Sequence, residues 1–323
     1  MTNIYLRRLL TGQSLGSVIG VSAMLVLFTL IDFNGWWNTN SLANVLQFSA
    51  ILGLLSMGLA LVIIAREIDL SVGSVYGLAG VSFVTLEPVL GVPMSFIAAM
   101  ALAALIGLLQ GLAVVRLKLP SMIVTLGGLF SVRGVIYVWT GGTVSTFSAD
   151  ARTHWLTQMF GGHLLGLPAV IWWTVLVAVL LSVMLLLTRF GNHLLATGGQ
   201  QDSAESRGVR TDHVKLATFV LCSMLAGLSG IITLCDNPQT HVTLGELMEL
   251  EAIAAAVIGG CLLTGGRGSL IGALLGTFIV VSVRYELIAL GAPSSWYMTF
   301  VGAVLIAAVI FNQYLANKVN RSL

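Results

Sequence analysis

The chain has 323 residues, 57% of them hydrophobic and only 9% charged, and its mean hydropathy is +0.98. A soluble domain carries about 25% charged residues, so most of this surface must face something other than water, and the lipid bilayer is the solvent that tolerates it. A net charge of +2, with no basic stretch interleaved with aromatics, excludes nucleic acid as the partner.

The expected fold is all-α: one polytopic membrane domain over 1–323, with room for about ten spans of roughly 20 residues and for no large soluble domain. Residues 1–14 are polar and carry Arg7 and Arg8 ahead of an apolar run. That run ends in Asp32-Phe33-Asn34-Gly35-Trp36-Trp37 rather than at a small-residue cleavage site, so it reads as an uncleaved first span over 15–33. Further spans are expected at 42–65, 70–87, 94–115, 120–140, 169–188, 214–234, 249–263, 269–290 and 296–314. The joins at 66–69 and 264–268 are short enough to be either loops or breaks within re-entrant elements.

Ten spans that start inside put both termini and the joins near 66–69, 116–119, 189–213 and 264–268 in the cytoplasm. Arg7, Arg8, Arg66, Arg116, Lys118, Arg189, Arg207, Arg210, Lys215, Arg267, Lys318 and Arg321 all fall on that side, against Arg152 alone in an outer loop. This asymmetry fixes the orientation. Trp36, Trp37, Trp139, Trp155, Trp172, Trp173 and Trp296 map to the opposite ends, as interfacial anchors do.

Chemistry-bearing residues are sparse. Cys222, Cys235 and Cys261 show neither CxxC nor metal spacing, and His154, His163, His193, His213 and His241 are scattered singly through predicted loops. Neither a metal site nor a clustered set for a membrane enzyme is expected. Gly73, Gly77 and Gly80, and later Gly268, Gly272 and Gly276, are spaced for close helix packing. Both sets follow a short cytoplasmic join, a hint of internal duplication.

Charge inside the bilayer costs about 2.5 to 3.5 kcal/mol per residue on insertion scales, which singles out Arg133 and Arg284. Counted at 1.5 Å per residue, both sit roughly 22 Å above the inner edge, at the height expected for Glu249, Glu251 and Glu286. Ion pairs among these five, holding an outer gate, are the expected arrangement, with snorkelling and direct substrate contact as alternatives. Asp69, with Arg66 and Glu67, reads as a solvated helix cap or as an inner gate or ATPase contact. An ion-driven transporter would want a carboxylate near the middle of a span. All 13 Asp and Glu read as lying in loops or toward span ends, which argues against that class.

The longest inner polar stretch runs from Thr188 to Lys215. Gln200–Arg207 is expected to form a short exposed helix, with Gly198-Gly199 as its entry turn and Gly208 as the left-handed residue that ends it. Such a helix would be a lever through which a partner moves the flanking spans.

The segment over 189–215 resembles the coupling loop of the ATP-binding-cassette (ABC) importer permeases that serve ribose, xylose and related sugars. Phe190, Gly191, Ala196, Gly198, Gly199, Ala204, Gly208 and Val209 match, while Asn192, Gln200 and Ser203 differ from the usual residues. Glu67–Ser74 resembles the family's IDLSVGS element. Thr125-Leu126-Gly127, Arg133-Gly134 and Thr140-Gly141-Gly142 resemble a TLG, RG, TGG series, and the stretch from Glu249 through Gly276 resembles its AIAA, VIGG and GGRGS block. Arg284-Tyr285-Glu286 stands where small polar residues are usual.

The resemblance implies a type II-like importer permease of the bacterial inner membrane, paired as a homo- or heterodimer and delivering a sugar or polyol. It implies a periplasmic solute-binding protein as donor and a separate cytoplasmic ATPase that holds ATP and Mg²⁺. No GxxxxGK[ST] occurs in the chain itself. A branched-chain amino acid permease is the neighbouring alternative.

Overall fold

The computed structural model describes residues 15–293, 296–307 and 310. The order is α1 (Leu15–Ile31), α2 (Phe33–Trp36), α3 (Thr39–Ile64), α4 (Val72–Arg116), α5 (Ser121–Thr140), α6 (Ala149–Thr153) and α7 (Trp155–Gly161). A small antiparallel hairpin, β1 (His163–Leu164) with β2 (Leu167–Pro168), leads to α8 (Ala169–Leu187). Then come α9 (Arg189–Gly199), α10 (Gln201–Ser206), α11 (Thr211–Asp236), α12 (Met248–Ile258), α13 (Leu270–Ala289) and the apolar helix α14 (Trp296–Ala307). Among the described residues six helices, α3, α4, α5, α8, α11 and α13, are long and apolar enough to cross a membrane, with α1 and α14 shorter.

Helix α4 counts 45 residues, roughly 68 Å if straight and about twice the hydrocarbon thickness. It is not straight. Gly91 leaves the helix at φ 73° and ψ 163°, between Pro88 and Pro93, a conformation open to glycine and closed to most side chains. The chain folds back there: Phe83 meets Phe96 edge to face at 6.3 Å and Phe147 at 5.1 Å, and Ser71 Oγ lies 3.0 Å from Gln110 Oε1. Two spans result, as the sequence places them at 70–87 and 94–115.

Helix α3 is the hub, buried at every residue from Ser49 to Ala65. Helix α11 runs antiparallel beside it, with Gln47 Nε2 donating to Asp236 Oδ2 (2.7 Å) at one end and Lys215 Nζ donating to Glu67 Oε1 (2.6 Å) at the other. Three consecutive α3 carbonyls accept side-chain hydroxyls from three helices: Ser49 from Thr277 of α13 (3.2 Å), Ala50 from Thr174 of α8 (3.1 Å) and Ile51 from Ser229 of α11 (2.8 Å). A helix carbonyl keeps a free lone pair after its i+4 bond, and in lipid such polar contacts and close backbone approach replace the hydrophobic drive between helices. A Cβ on Gly58 would stand 3.0 Å from Cys222 Cα, which marks how closely α3 and α11 approach.

The expected span at 249–263 is corrected. Helix α12 has 11 residues, about 16 Å, half of the roughly 30 Å hydrocarbon core. The other half of that crossing is the turn-rich stretch 237–247. The first break shows the same construction reversed: residues 65–71 are non-helical at the basic end, and α4 takes over partway through the bundle. Residues 66–69 are therefore part of a re-entrant passage.

Ser229→Ala and Thr277→Val should each lower resistance to unfolding by about 0.6 kcal/mol, read by denaturant titration in micelles. Gly58→Leu, which forces α3 from α11, should abolish recovery of folded protein.

Candidate functional site

At the basic end three backbone segments meet. Gly266 N–H donates to the Ile64 carbonyl (2.9 Å), so the two short joins touch each other where α3 ends. The chain turns there through left-handed conformations at Arg66 (φ 68°), Gly265 (φ 81°) and Gly266 (φ 74°). Gly198, near the end of α9, closes the junction: a Cβ on it would overlap the Ile64 carbonyl oxygen and stand 2.6 Å from Gly266 N.

The expectation for this polar segment needs correction in one respect. Gly198 and Gly199 are not an entry turn; they are the last residues of α9, whose N-terminus is capped by Thr188 Oγ1 accepting from Gly191 N–H (3.3 Å). Gln200 is extended (φ −156°) and separates α9 from α10, and Gly208 (φ 84°) follows α10 in the left-handed region. His193 and His213 lie in helices rather than loops.

The segment divides by burial. Gly191, Leu194, Thr197 and Gly198 form the inner face of α9, and Ala204 anchors α10. Ala196, Gly199 and Gly208 are exposed, and Ser203 is half-buried, so these four are open to a partner. Gly191 packs against the Leu185 carbonyl, whereas a Cβ on Gly199 meets nothing within 4 Å. Hydrogen bonds from Thr211 and Gln201 hold the Glu205 carboxyl below the usual carboxylate range. Its contribution to the α10–α11 join is therefore complete at neutral pH and lost only as acid takes the pH down through that lowered value.

Deeper in the bundle the two broken passages meet. The first turn of α4 lies against the stretch leading into α12: Gly73 touches the Gly245 carbonyl and Glu249 Oε2, and Gly77 touches the Leu244 carbonyl. Arg133, on α5, clamps the same stretch, its Nη1 donating to the carbonyls of Val242 (3.0 Å) and Leu244 (2.8 Å). Arg133 thus binds neutral carbonyls and forms no carboxylate pair within 4.0 Å among the described residues. The unwound backbone needs donors that lipid cannot supply, and a guanidinium offers several. Gly272 and Gly276 pack against the Gly259 and Ala255 carbonyls, joining α13 to α12, and Gly268 packs on Ile64.

Asp69 lies in the join ahead of α4, as expected, but the join draws it into the bundle. It is fully buried (0% exposed), its Oδ1 accepting from Ser71 N–H (2.8 Å) and Ser71 Oγ–H (2.7 Å). It is not a solvated cap.

Of the other charge candidates, Arg284 and Glu251 are brought together at 3.6 Å, with the Arg284 guanidinium 4.9 Å from the Tyr297 ring centroid. Glu286 is buried on α13 and pairs with no arginine among the described residues. Trp36 departs from the anchor pattern. It is 0% exposed and packs edge to face on Phe28 at 5.1 Å.

The model of the family described as "branched-chain amino acid transport system / permease component" matches residues 41–309. The chain belongs to that family. It is a multi-pass membrane permease of ABC importers, a transport subunit rather than an enzyme. The autoinducer 2 import system permease protein LsrC of Escherichia coli (strain K12 / DH10B) is 33% identical over 315 residues, 96% of this chain and 91% of the relative. The protein of the same name from Shigella flexneri matches at 33% with the same coverage. That of Salmonella choleraesuis (strain SC-B67) matches at 32% over 94% of this chain and 88% of the relative. No solved structure matches the permease.

Two substitutions separate packing from exposure in α9. Gly198→Ala should disrupt the basic-end junction and lower the thermal midpoint of the purified permease, while Gly199→Ala should leave it unchanged. Arg133→Met removes two charge-assisted hydrogen bonds, each worth about 1.5 to 3 kcal/mol, and should raise amide exchange across 240–247 while sparing α3.

Proposed function

We propose that the permease carries a sugar or sugar-like solute, such as a pentose, hexose or polyol, into the cell. On this reading a periplasmic solute-binding protein delivers the solute and a cytoplasmic ATPase that holds ATP and Mg²⁺ drives the cycle. The observation that carries the reading is similarity over 96% of the chain to permeases named for autoinducer 2 import. The coupling-loop residues support it: α9, with one buried face, and α10 stand at the end of the bundle richest in Arg and Lys, with Ala196, Gly199, Ser203 and Gly208 open to a partner. The basic end is read as cytoplasmic, with both termini on that side, because Lys and Arg mark the retained face of a membrane protein.

A second copy, or a similar permease, completes the path. Arg284 supports a protein or water-lined neighbour, since its side chain is 51% exposed in the single chain and a charge left against lipid is costly. Arg133, Glu249, Glu251, Arg284 and Glu286 are read as the outer gate region. In that role Arg133 holds the unwound 237–247 stretch and Arg284 with Glu251 forms the charge pair.

Proteoliposomes holding the permease with its ATPase and binding protein should accumulate the binding protein's ligand only with ATP present. The permease alone, given a proton or sodium gradient, should accumulate none. Calorimetry of the binding protein against pentoses, hexoses, polyols, autoinducer 2 and branched-chain amino acids names the solute class; tight binding of leucine or isoleucine alone would replace the sugar reading.

A further inference from the structure

We propose that Glu67, Lys215 and Gln201, with Gly198, link α9 and α10 to the first broken passage, so that the ATPase moves the start of α4 rather than the bundle as a whole. This rests on the reading of α9 and α10 as the ATPase seat and assigns the residues that pass the movement inward. Lys215 is the centre of the link. Its ammonium donates to Glu67 Oε1 at 2.6 Å and to Gln201 Oε1 at 2.9 Å, and the side chains of Lys215 and Glu67 are only 14% and 12% exposed. Gln201 opens α10, and its amide in turn donates to Glu205 (2.9 Å). Gly198 sits on the Ile64 carbonyl from the other side. The last turn of α9 therefore meets residue 64 by backbone contact, and the first turn of α10 reaches Glu67 through Lys215, near the start of α11.

From Glu67 the route inward is short. Ile68 N–H donates to Ser121 Oγ (3.2 Å), and Thr125 Oγ1 donates to the Ile68 carbonyl (3.3 Å). Asp69 then ties itself to Ser71. Two residues further, Gly73 meets the Gly245 carbonyl and Glu249. Because residues 65–71 are not helical, this passage changes φ and ψ without breaking a helix ladder, whereas α3 and α11 on either side are locked by buried hydroxyl–carbonyl contacts. A push on α10 thus has a compliant element to act on, and that element ends where the two broken passages touch.

The test needs no knowledge of the solute. Hydrogen–deuterium exchange is measured on the permease in nanodiscs, alone, with its ATPase, and with the ATPase trapped by ADP and vanadate. For the wild type, ATPase addition should protect α9 and α10, and trapping should change exchange over 65–77 by about tenfold. Glu67→Gln and Gln201→Leu should keep the protection of α9 and α10 while the response over 65–77 shrinks below about twofold. The exchanged pair Glu67→Lys with Lys215→Glu should restore that response. Gln201→Leu leaves the ion pair intact, so it reports even where Glu67→Gln fails to fold. A wild-type response absent from 65–77, or a full response in both single variants, would overturn the link. Failure of the ATPase to protect α9 and α10 in the wild type would instead overturn the reading beneath it.

Discussion

Two stretches of backbone, 65–71 and 237–247, leave the helix inside an apolar bundle, and lipid has no hydrogen bonds to offer the N–H and C=O groups they release. The surrounding helices must supply every partner, and much of the unusual chemistry of this chain is spent there. Arg133 serves two carbonyls of the second stretch, and Thr240 exchanges bonds with Ser145 at its outer end. Ser121 and Thr125 serve Ile68 in the first, and Gly266 N–H serves Ile64. Arg133, which looked like a gate charge, and Asp69, which looked like a solvated cap, are in their geometry partners of broken backbone.

That constraint also explains the glycines. Gly73, Gly77, Gly198 and Gly266 each face another segment's backbone at close range, because unwound chain packs closely only where no Cβ intervenes. The rigid counterpart is α3, whose carbonyls at Ser49, Ala50 and Ile51 are each tied to a different helix. A permease built this way has a fixed frame of α3, α8, α11 and α13 and two compliant passages that meet at Gly73 and Gly245. Alternation between outward and inward access requires two packings of similar energy, and the compliant passages are where the backbone can supply them.

Much was legible in the sequence. Hydropathy marked the span positions, including the fold-back between 87 and 94, and the order of short motifs pointed to the permease family now shown. Other features were not, for identifiable reasons. Asp69 follows a charged pair, Arg66 and Glu67, and reads as a solvated join because hydropathy along the chain cannot register a strand of polar residues drawn into the bundle. Trp36 sits beside Trp37 in an interfacial pattern, yet only Trp36 turns inward onto Phe28. The 249–263 run is apolar over a span's length, but its Gly259-Gly260 pair ends the helix early, and apolarity alone does not distinguish half a crossing from a whole one.

Composition and hydropathy by themselves determined that this chain lives in a bilayer, roughly where its helices begin and end, and which end carries the basic residues. Those properties are local: each depends on a window of residues and its transfer energy between water and lipid. Only the tertiary structure decided that α3 is the hub, that Lys215 reaches Glu67, that Arg133 holds carbonyls instead of carboxylates, and that the two broken passages touch. Within lipid every apolar helix is equally content to face a neighbour or a hydrocarbon tail, so burial within the bundle is set by hydroxyl–carbonyl contacts and backbone approach between distant segments. No single window of sequence contains both sides of such a contact.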